Sequence, residues 1–158
     1  MKMLFKQKLF SWFDSYDIYD EHGETLYTVK GQFGFGHRFK VLDNNEREVG
    51  YVKQRIWTWL PKFDIYVNEE LIGTIKKEFT FLRHKFTIDY KGWVVEGDFL
   101  GWDYRVKDAS GNEVARVSKQ IFKLTDTYEI DVVDSSNALN VLLLVIAIDA
   151  EECSRNNN

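Results

Sequence analysis

The feature that most constrains the fold is an internal repeat in which short apolar runs alternate with polar turns. Similar blocks recur at steps of 23, 24, 23, 18 and 24 residues, opened by Ile18, Val41, Ile65, Ile88, Val106 and Ile130. Turns rich in Asp, Asn and Gly follow most of these residues, and such residues close tight turns or tolerate a positive φ. Apolar runs that flank such turns are typical of β-hairpins. The repeat therefore predicts a series of hairpins.

The second strand of most hairpins carries an apolar pair three residues apart. The pairs are Leu26 and Val29, Val49 and Val52, Ile72 and Ile75, and Val114 and Val117. Side chains of a regular strand change face at every residue, so this spacing breaks the alternation. Either a β-bulge resets the register or both faces are partly covered. We favour the bulge, because a polar residue follows each pair, as Lys30 and Lys53 do.

Aromatic residues make up 16% of the chain, and they recur beyond the apolar pairs at alternate positions. The set consists of Phe33 and Phe35, Trp57 and Trp59, Phe79 and Phe81, and Phe122 with Leu124. Flat rings cover a pleated surface well, so we expect these residues to continue the second strands. We expect them to pack in the core or the barrel wall, and a ligand cage is the alternative.

The number of hairpins indicates the architecture. Five clear hairpins and a sixth partial one predict ten to twelve antiparallel strands in a meander. A chain of 158 residues with so many strands is best closed into a β-barrel, because closure removes exposed edges. The length fits a single domain, which we place at residues 1–150.

The last block departs from the repeat. Residues 134–137 offer helix N-cap side chains, and an almost wholly apolar run follows from Ala138 to Ile148. Two structures fit this run: a buried helix at about 136–149, favoured by the cap and the leucines, or a central strand, favoured by its β-branched residues. A central helix would fill the lumen of a barrel of this size. We expect residues 151–158 to form a flexible tail.

These features together resemble the LURP-one-related family. The similarity lies in the hairpin meander, the C-terminal hydrophobic segment and the N-terminal residues Phe5 to Lys8, Tyr16 to Gly23 and Val29 to Gly31. It extends from about Met3 to Ala150, and small bacterial members of the YxjI type are close in length and layout. The family is part of the Tubby C-terminal-domain-like superfamily, which includes the phospholipid scramblases. The resemblance implies a closed antiparallel barrel of about twelve strands around a C-terminal hydrophobic α-helix.

The resemblance implies function less closely than fold. Tubby proteins bind phosphoinositide headgroups and are linked to transcription, and scramblases act at membranes. The chain has one cysteine, Cys153, and lacks the membrane-spanning segment expected of a scramblase, so we do not expect lipid translocation. We expect a non-enzymatic binding or scaffold protein that recognises anionic phospholipid headgroups or a protein partner. An undetected hydrolase or lipid-modifying enzyme is the alternative, and a nucleic-acid-linked regulator is the third.

The sequence contains no recognisable catalytic or metal-binding pattern. His22, His37 and His84 lie far apart, and no Gly-x-Ser-x-Gly elbow occurs. There is no Cys-x-x-Cys pair and no calcium-loop spacing. The glycines near residue 34 do not match a dinucleotide fingerprint. We therefore expect no catalytic residue, no bound metal and no cofactor.

Local charge supplies one candidate binding site. The formal net charge of −4 at pH 7 argues against nucleic acid as a partner. Residues 76–91 are nevertheless basic, and their cations could hold a phosphate or an anionic lipid surface. The candidate anion-binding residues are Lys76, Lys77, Arg83 and Lys85. An ordinary mixed-charge surface is the alternative interpretation.

The remaining expectations concern extent and location. The basic segment 1–10, with Lys2, Lys6 and Lys8, would enlarge the candidate site if the two segments were neighbours on the barrel. One cysteine suits a reducing compartment, so we expect a cytoplasmic protein, peripheral at a membrane surface and without a transmembrane segment.

Overall fold

The computed structural model describes residues 1–6, 15–79, 84–89, 91–120 and 127–156, without the side chains of residues 6, 79, 84, 85 and 153–156. A short 3-10 helix at Ser135–Asn137 leads into one α-helix, α1, at Ala138–Asn156. The strands are β1 (Lys2–Lys6), β2 (Ser15–Tyr19), β3 (Thr25–Gly31), β4 (Arg38–Asp43), β5 (Glu48–Gln54), β6 (Lys62–Val67), β7 (Glu70–Phe79), β8 (His84–Ile88), β9 (Trp93–Asp98), β10 (Asp103–Lys107), β11 (Glu113–Gln120) and β12 (Thr127–Val132).

The twelve strands form one closed antiparallel barrel. Each strand is hydrogen-bonded to its neighbours in sequence, and β1 closes the barrel by pairing with β12, from Lys2 opposite Asp131 to Lys6 opposite Thr127. Closure pairs each strand on both sides, which removes the edges that promote aggregation. The predicted closed barrel built from hairpins is confirmed.

Short turns join the even-numbered strands to the next odd-numbered ones, and we call this end of the barrel the turn end. Three of its turns begin with an aspartate whose Oδ1 accepts backbone N–H groups two and four residues later, at 2.8–3.0 Å. The residue three positions after each aspartate has a positive φ, which Gly23 and Gly111 adopt without strain and Glu46 does not. The aspartates are Asp20, Asp43 and Asp108.

Each of the four apolar pairs spans a β-bulge, as predicted. The register shifts next to Ile18, Val41, Ile65 and Val106 on the partner strands. The extra residue is always the first member of a pair, namely Leu26, Val49, Ile72 or Val114. The second members, Val29, Val52, Ile75 and Val117, are 0% exposed. The bulge therefore lets both apolar residues contribute to one strand without placing the second one in water.

The apolar C-terminal run is a helix, and it fills the lumen. Every residue from Val141 to Ala150 is at most 5% exposed. Asp134 caps the preceding 3-10 turn, since its carboxylate accepts the Ser136 N–H at 2.9 Å. The helix approaches β5 tightly at Gly50, where an added Cβ would lie 2.9 Å from Leu143 Cδ2. A glycine at this position makes room for the helix.

The helix ends later than predicted. The expected boundary was about residue 149, with a tail from 151, but α1 continues to Asn156. Glu151 is only 4% exposed, and Lys77 of β7 forms ion pairs with Glu151 and Glu152. Polar residues at the end of an apolar run suggest a frayed terminus, and here a buried lysine far away in sequence stabilises them instead. Residues 157 and 158 lie outside the described part of the chain.

Candidate functional site: an aromatic end and a basic face

The end of the barrel opposite the turn end carries exposed aromatic side chains. Phe33 and Phe35 are 81% and 82% exposed, and Trp57 and Trp59 are 97% and 99% exposed. The prediction that these four rings pack in the core or the wall is therefore wrong. We call this region the aromatic end and define it by its two loops, 32–37 between β3 and β4 and 55–61 between β5 and β6.

Backbone geometry explains why these aromatics leave the sheet. Gly36 has a φ of +77°, and Pro61 lacks the N–H that a strand would use, so β6 begins only after it. Trp57 has a φ of +63°, a conformation that costs a bulky residue about 1–2 kcal/mol. The alternating aromatics thus reflect loops rather than strands. The side chains of the other predicted set, Phe79, Phe81, Phe122 and Leu124, lie outside the description.

Beside the aromatic end, the outer wall places like charges directly opposite one another. Arg38 on β4 faces Lys53 on β5, and Lys62 on β6 faces Lys76 on β7. Like charges in directly opposed positions of antiparallel strands destabilise the sheet. We call the four residues Arg38, Lys53, Lys62 and Lys76 the basic face.

The basic face is poorly neutralised. Within the described residues, Arg38, Lys53 and Lys62 form no ion pair, and Lys76 Nζ lies 3.8 Å from Asp89 Oδ2. The Nε of Arg38 is buried and has no hydrogen-bond acceptor in this part of the structure. The ammonium groups of Lys53 and Lys62 therefore remain able to donate hydrogen bonds to an anion.

On the far side of the barrel, another pair of opposed cations is neutralised. Arg105 on β10 lies opposite Arg116 on β11. Arg105 Nε lies 3.6 Å from Glu113 Oε2, and an Arg116 guanidinium nitrogen lies 3.3 Å from Asp103 Oδ1. Arg105 and Arg116 thus each have a carboxylate partner, whereas Arg38, Lys53 and Lys62 have none among the described residues.

The structure separates the four predicted anion ligands. Lys76 is on the outer wall and belongs to the basic face. Lys77 points into the lumen with its side chain 0% exposed, so its prediction as a surface anion ligand is wrong. Lys85 lies in β8 opposite Glu78, and Arg83 lies outside the described residues.

Strand alternation accounts for the position of Lys77. Ile75 faces the lumen, and a residue two positions later shares that face. Lys77 Nζ lies 3.3 Å from Glu151 Oε1, 2.7 Å from Glu152 Oε1 and 5.3 Å from the centroid of the Phe86 ring. A charge buried this deeply needs such partners. Lys77 therefore links β7 to the end of α1 and has a structural role.

The N-terminal basic segment is not a neighbour of the basic segment 76–91. In the closed barrel, β1 lies six strands away from β7. The Lys2 Nζ atom is 2.8 Å from Glu129 Oε1, so its charge is paired on β12. The side chain of Lys6 and all of Lys8 lie outside the description. The expected joining of the two basic segments is therefore wrong for Lys2.

The described lumen is mainly apolar. A narrow space beside α1 is lined by aromatic and aliphatic side chains together with Asp149. His37 is buried and stacks on Phe39, and burial lowers the pKa of His37 to about 4, which keeps the ring neutral at neutral pH. Burial, with the carboxylates of Asp149 and Glu152 nearby, raises the pKa of Tyr104. Among the described residues, no three His, Cys, Asp or Glu side chains are grouped to hold a metal ion.

In the part of the chain that is described, no helix has the length and hydropathy needed to cross a bilayer.

Sequence reasoning missed Arg38, Lys53 and Lys62. Each is adjacent to a core residue of its own strand, so alternation alone would have placed it on the outer wall. What no single stretch of sequence displays is the register that sets these cations opposite one another. The predicted set was chosen from one basic stretch of sequence, whereas the basic face is assembled from four strands.

The fold and the sequence both have known relatives. The chain is 24% identical over 150 residues to the uncharacterised protein YxjI of Bacillus subtilis (strain 168), with 94% of this chain and 92% of that protein covered. An Arabidopsis thaliana protein solved by X-ray crystallography has a similar fold, with a TM-score of 0.62, 17% identity, and coverage of 94% of this chain and 90% of that one. The sequence pattern of the family described as LURP-one-related matches residues 1–149. Because this match spans almost the whole chain, the protein belongs to the LURP-one-related family.

Proposed function

We propose that the protein is a non-enzymatic binding module that attaches to anionic phospholipid surfaces through the basic face. The observation that carries this proposal is the presence of two pairs of opposed cations, Arg38 with Lys53 and Lys62 with Lys76. Folding alone disfavours such pairs, and an anion bound over them would offset their repulsion. A binding function is expected where an arrangement of residues lowers the stability of the fold.

The expected strength of this attraction follows from the number of cations. A lysine or arginine close to an anionic membrane surface contributes about 1 kcal/mol. Four such residues would contribute about 4 kcal/mol, which corresponds to roughly a thousandfold in affinity. The attraction should weaken as salt is added, because the Debye length falls to about 8 Å at physiological ionic strength.

Two further features support a binding role without catalysis. The helix occupies the lumen with a continuous run of buried residues, Val141 to Ala150, which leaves little interior space for a substrate. The basic face lies instead on the outer wall, on the four neighbouring strands β4 to β7. A cytoplasmic location fits this role, because the cytoplasmic leaflet carries anionic lipids.

A vesicle-binding experiment tests the proposal. The variant Lys53→Gln/Lys62→Gln removes two cations of the basic face that form no ion pair with any described residue. The control Arg105→Gln/Arg116→Gln removes two cations from the far side of the barrel, so both variants change the net charge equally. We expect phosphatidylcholine vesicles containing phosphatidylserine to bind the first variant about 30-fold more weakly than wild type, and the control to bind nearly as wild type.

Two results of this experiment would contradict the proposal. Equal affinity of wild type for neutral and phosphatidylserine-containing vesicles would show that the protein does not recognise anionic lipid. Equal losses in the two variants would show that net charge acts without a defined face. Raising the salt concentration should weaken the binding of wild type more than that of the Lys53→Gln/Lys62→Gln variant.

A further inference from the structure

We infer that the aromatic end inserts into the membrane interface, with its exposed rings at the boundary between headgroups and acyl chains and the basic face at headgroup level. This inference rests on the proposed function and adds to it a defined depth and orientation of the barrel. It concerns the side chains Phe33, Phe35, Trp57 and Trp59.

The first argument is the concentration of exposed apolar surface at one place. Four rings more than 80% exposed lie in two loops at the same end of the barrel, and Ile56 adds a side chain that is 47% exposed. Apolar surface clustered in this way marks an interaction site, whereas single exposed apolar residues need no explanation. Tryptophan is enriched at membrane interfaces, because its ring is apolar and its N–H remains near water.

The backbone of the second loop gives an independent indication. Trp57 has a φ of +63°, which is strained for a bulky residue, and 97% of its surface is exposed. Packing of the side chain therefore does not offset the backbone strain. Strain of this kind collects at functional sites. A core-packing role for Trp57 would not explain it.

The spacing between rings and cations fits the layered structure of a bilayer. Lys62 follows Trp59 by three residues, which corresponds to at most about 10 Å of extended chain. The headgroup layer on each side of a bilayer is about 5–8 Å thick. Lysine stems extend along apolar surface towards the charged layer. Rings at the acyl boundary would therefore place Lys62 and the rest of the basic face among the phosphates.

Charge complementarity selects which side of this barrel end faces the lipid. The loop between β9 and β10 is flanked by Asp98 and Asp103, which lie directly opposite each other and are both exposed. Arg116 pairs with Asp103, so Asp98 is the carboxylate of this loop without an ion pair among the described residues, and anionic headgroups would repel it and attract the basic face. The barrel should therefore tilt so that β4–β7 lie against the membrane. The turn end, where Asp20, Asp43 and Asp108 begin the turns, would face away.

Tryptophan fluorescence with brominated lipids tests the inference. On vesicles of phosphatidylcholine and phosphatidylserine, we expect the emission of wild type to shift to the blue and to be quenched by bromine on the acyl chain. The variant Trp57→Ala/Trp59→Ala should lose that signal and bind about tenfold more weakly or worse. The matched control Leu71→Ala/Val133→Ala truncates two exposed apolar side chains at the turn end, and it should bind as wild type does.

The two proposals fail in distinguishable ways. In one outcome, wild type binds phosphatidylserine-containing vesicles in a salt-sensitive way with no blue shift, and the tryptophan variant binds them equally well. That result would overturn the insertion of the aromatic end and would support attachment to anionic lipid through the basic face. Equal binding to neutral and anionic vesicles, with quenching, would keep the insertion and overturn the role of charge. Failure of wild type to bind either kind of vesicle would overturn both proposals. A protein would then be the remaining candidate partner for the aromatic end.

Discussion

The tight approach of α1 to the barrel wall predicts a specific energetic coupling between Gly50 and Leu143. Leu143 is 0% exposed, so Leu143→Ala removes buried methyl groups and leaves a cavity, at a cost of about 2–5 kcal/mol. In Gly50→Ala the new Cβ would lie 2.9 Å and 3.2 Å from the two Cδ atoms of Leu143, which is too close. Overpacking of this kind costs about 1–3 kcal/mol.

The double variant should be more stable than the two single costs imply. In Gly50→Ala/Leu143→Ala the new methyl group at position 50 enters space that the leucine has vacated, so the overlap disappears and the cavity shrinks. We expect the double variant to recover about 1–3 kcal/mol relative to the sum of the single changes. Two sites that did not touch would give additive costs.

Urea denaturation of the four proteins measures this cycle. The midpoints and slopes give each free energy of unfolding, and an unchanged slope shows that the two-state treatment holds. For a chain of this length, each kcal/mol also corresponds to about 2–4 °C in Tm, which gives an independent measurement. Additive costs, or a Gly50→Ala variant as stable as wild type, would refute the packing of α1 against β5 at this point.

Three further predictions concern the turns and the lumen. Glu46→Gly should raise the free energy of unfolding by about 0.5–1 kcal/mol in urea titrations, because glycine adopts the φ of +61° without strain; a loss of stability would contradict this. Side-chain and backbone hydrogen bonds from Asn112 lower the pKa of Asp108 from 3.8, so the stability that its carboxylate contributes is present above that pH and is lost as the pH falls through the lowered value. The difference in urea midpoint between wild type and Asp108→Ala should therefore shrink from pH 7 to pH 3, and a constant difference would refute this account. Tyr104→Phe should match or exceed wild type in Tm, since the hydroxyl it removes is buried without a hydrogen-bond partner among the described residues; a large loss would reveal a partner.

The barrel was predictable from the sequence because its signals are local and repeated. The spacing of Leu26 and Val29 is incompatible with a regular strand, and a bulge is the local solution that the structure adopts. The N-cap residues and the apolar run from Ala138 to Ile148 similarly favour a buried helix, which the structure contains. Each of these inferences depends on residues close together in sequence.

The candidate site was less predictable because it depends on tertiary pairing. The pattern Phe33, Phe35 has the period of a strand, but the glycines between and after them permit a loop, and an exposed loop and a buried strand share that pattern. Lys77 was assigned to the surface by its charge, although its partners Glu151 and Glu152 are 74 and 75 residues away. The opposed cations of the basic face become visible only when the strand register is known.

The measurement that tests the account most directly is a residue-by-residue map of the lipid contact. Amide NMR spectra of the protein would be recorded with nanodiscs of phosphatidylcholine and phosphatidylserine that carry a paramagnetic lipid headgroup. We expect line broadening in loops 32–37 and 55–61 and around Arg38, Lys53 and Lys62, with sharp lines at the turn end. Broadening centred on the turn end or on β9–β11, or broadening that persists with neutral nanodiscs at high salt, would contradict the basic face as the membrane-binding surface.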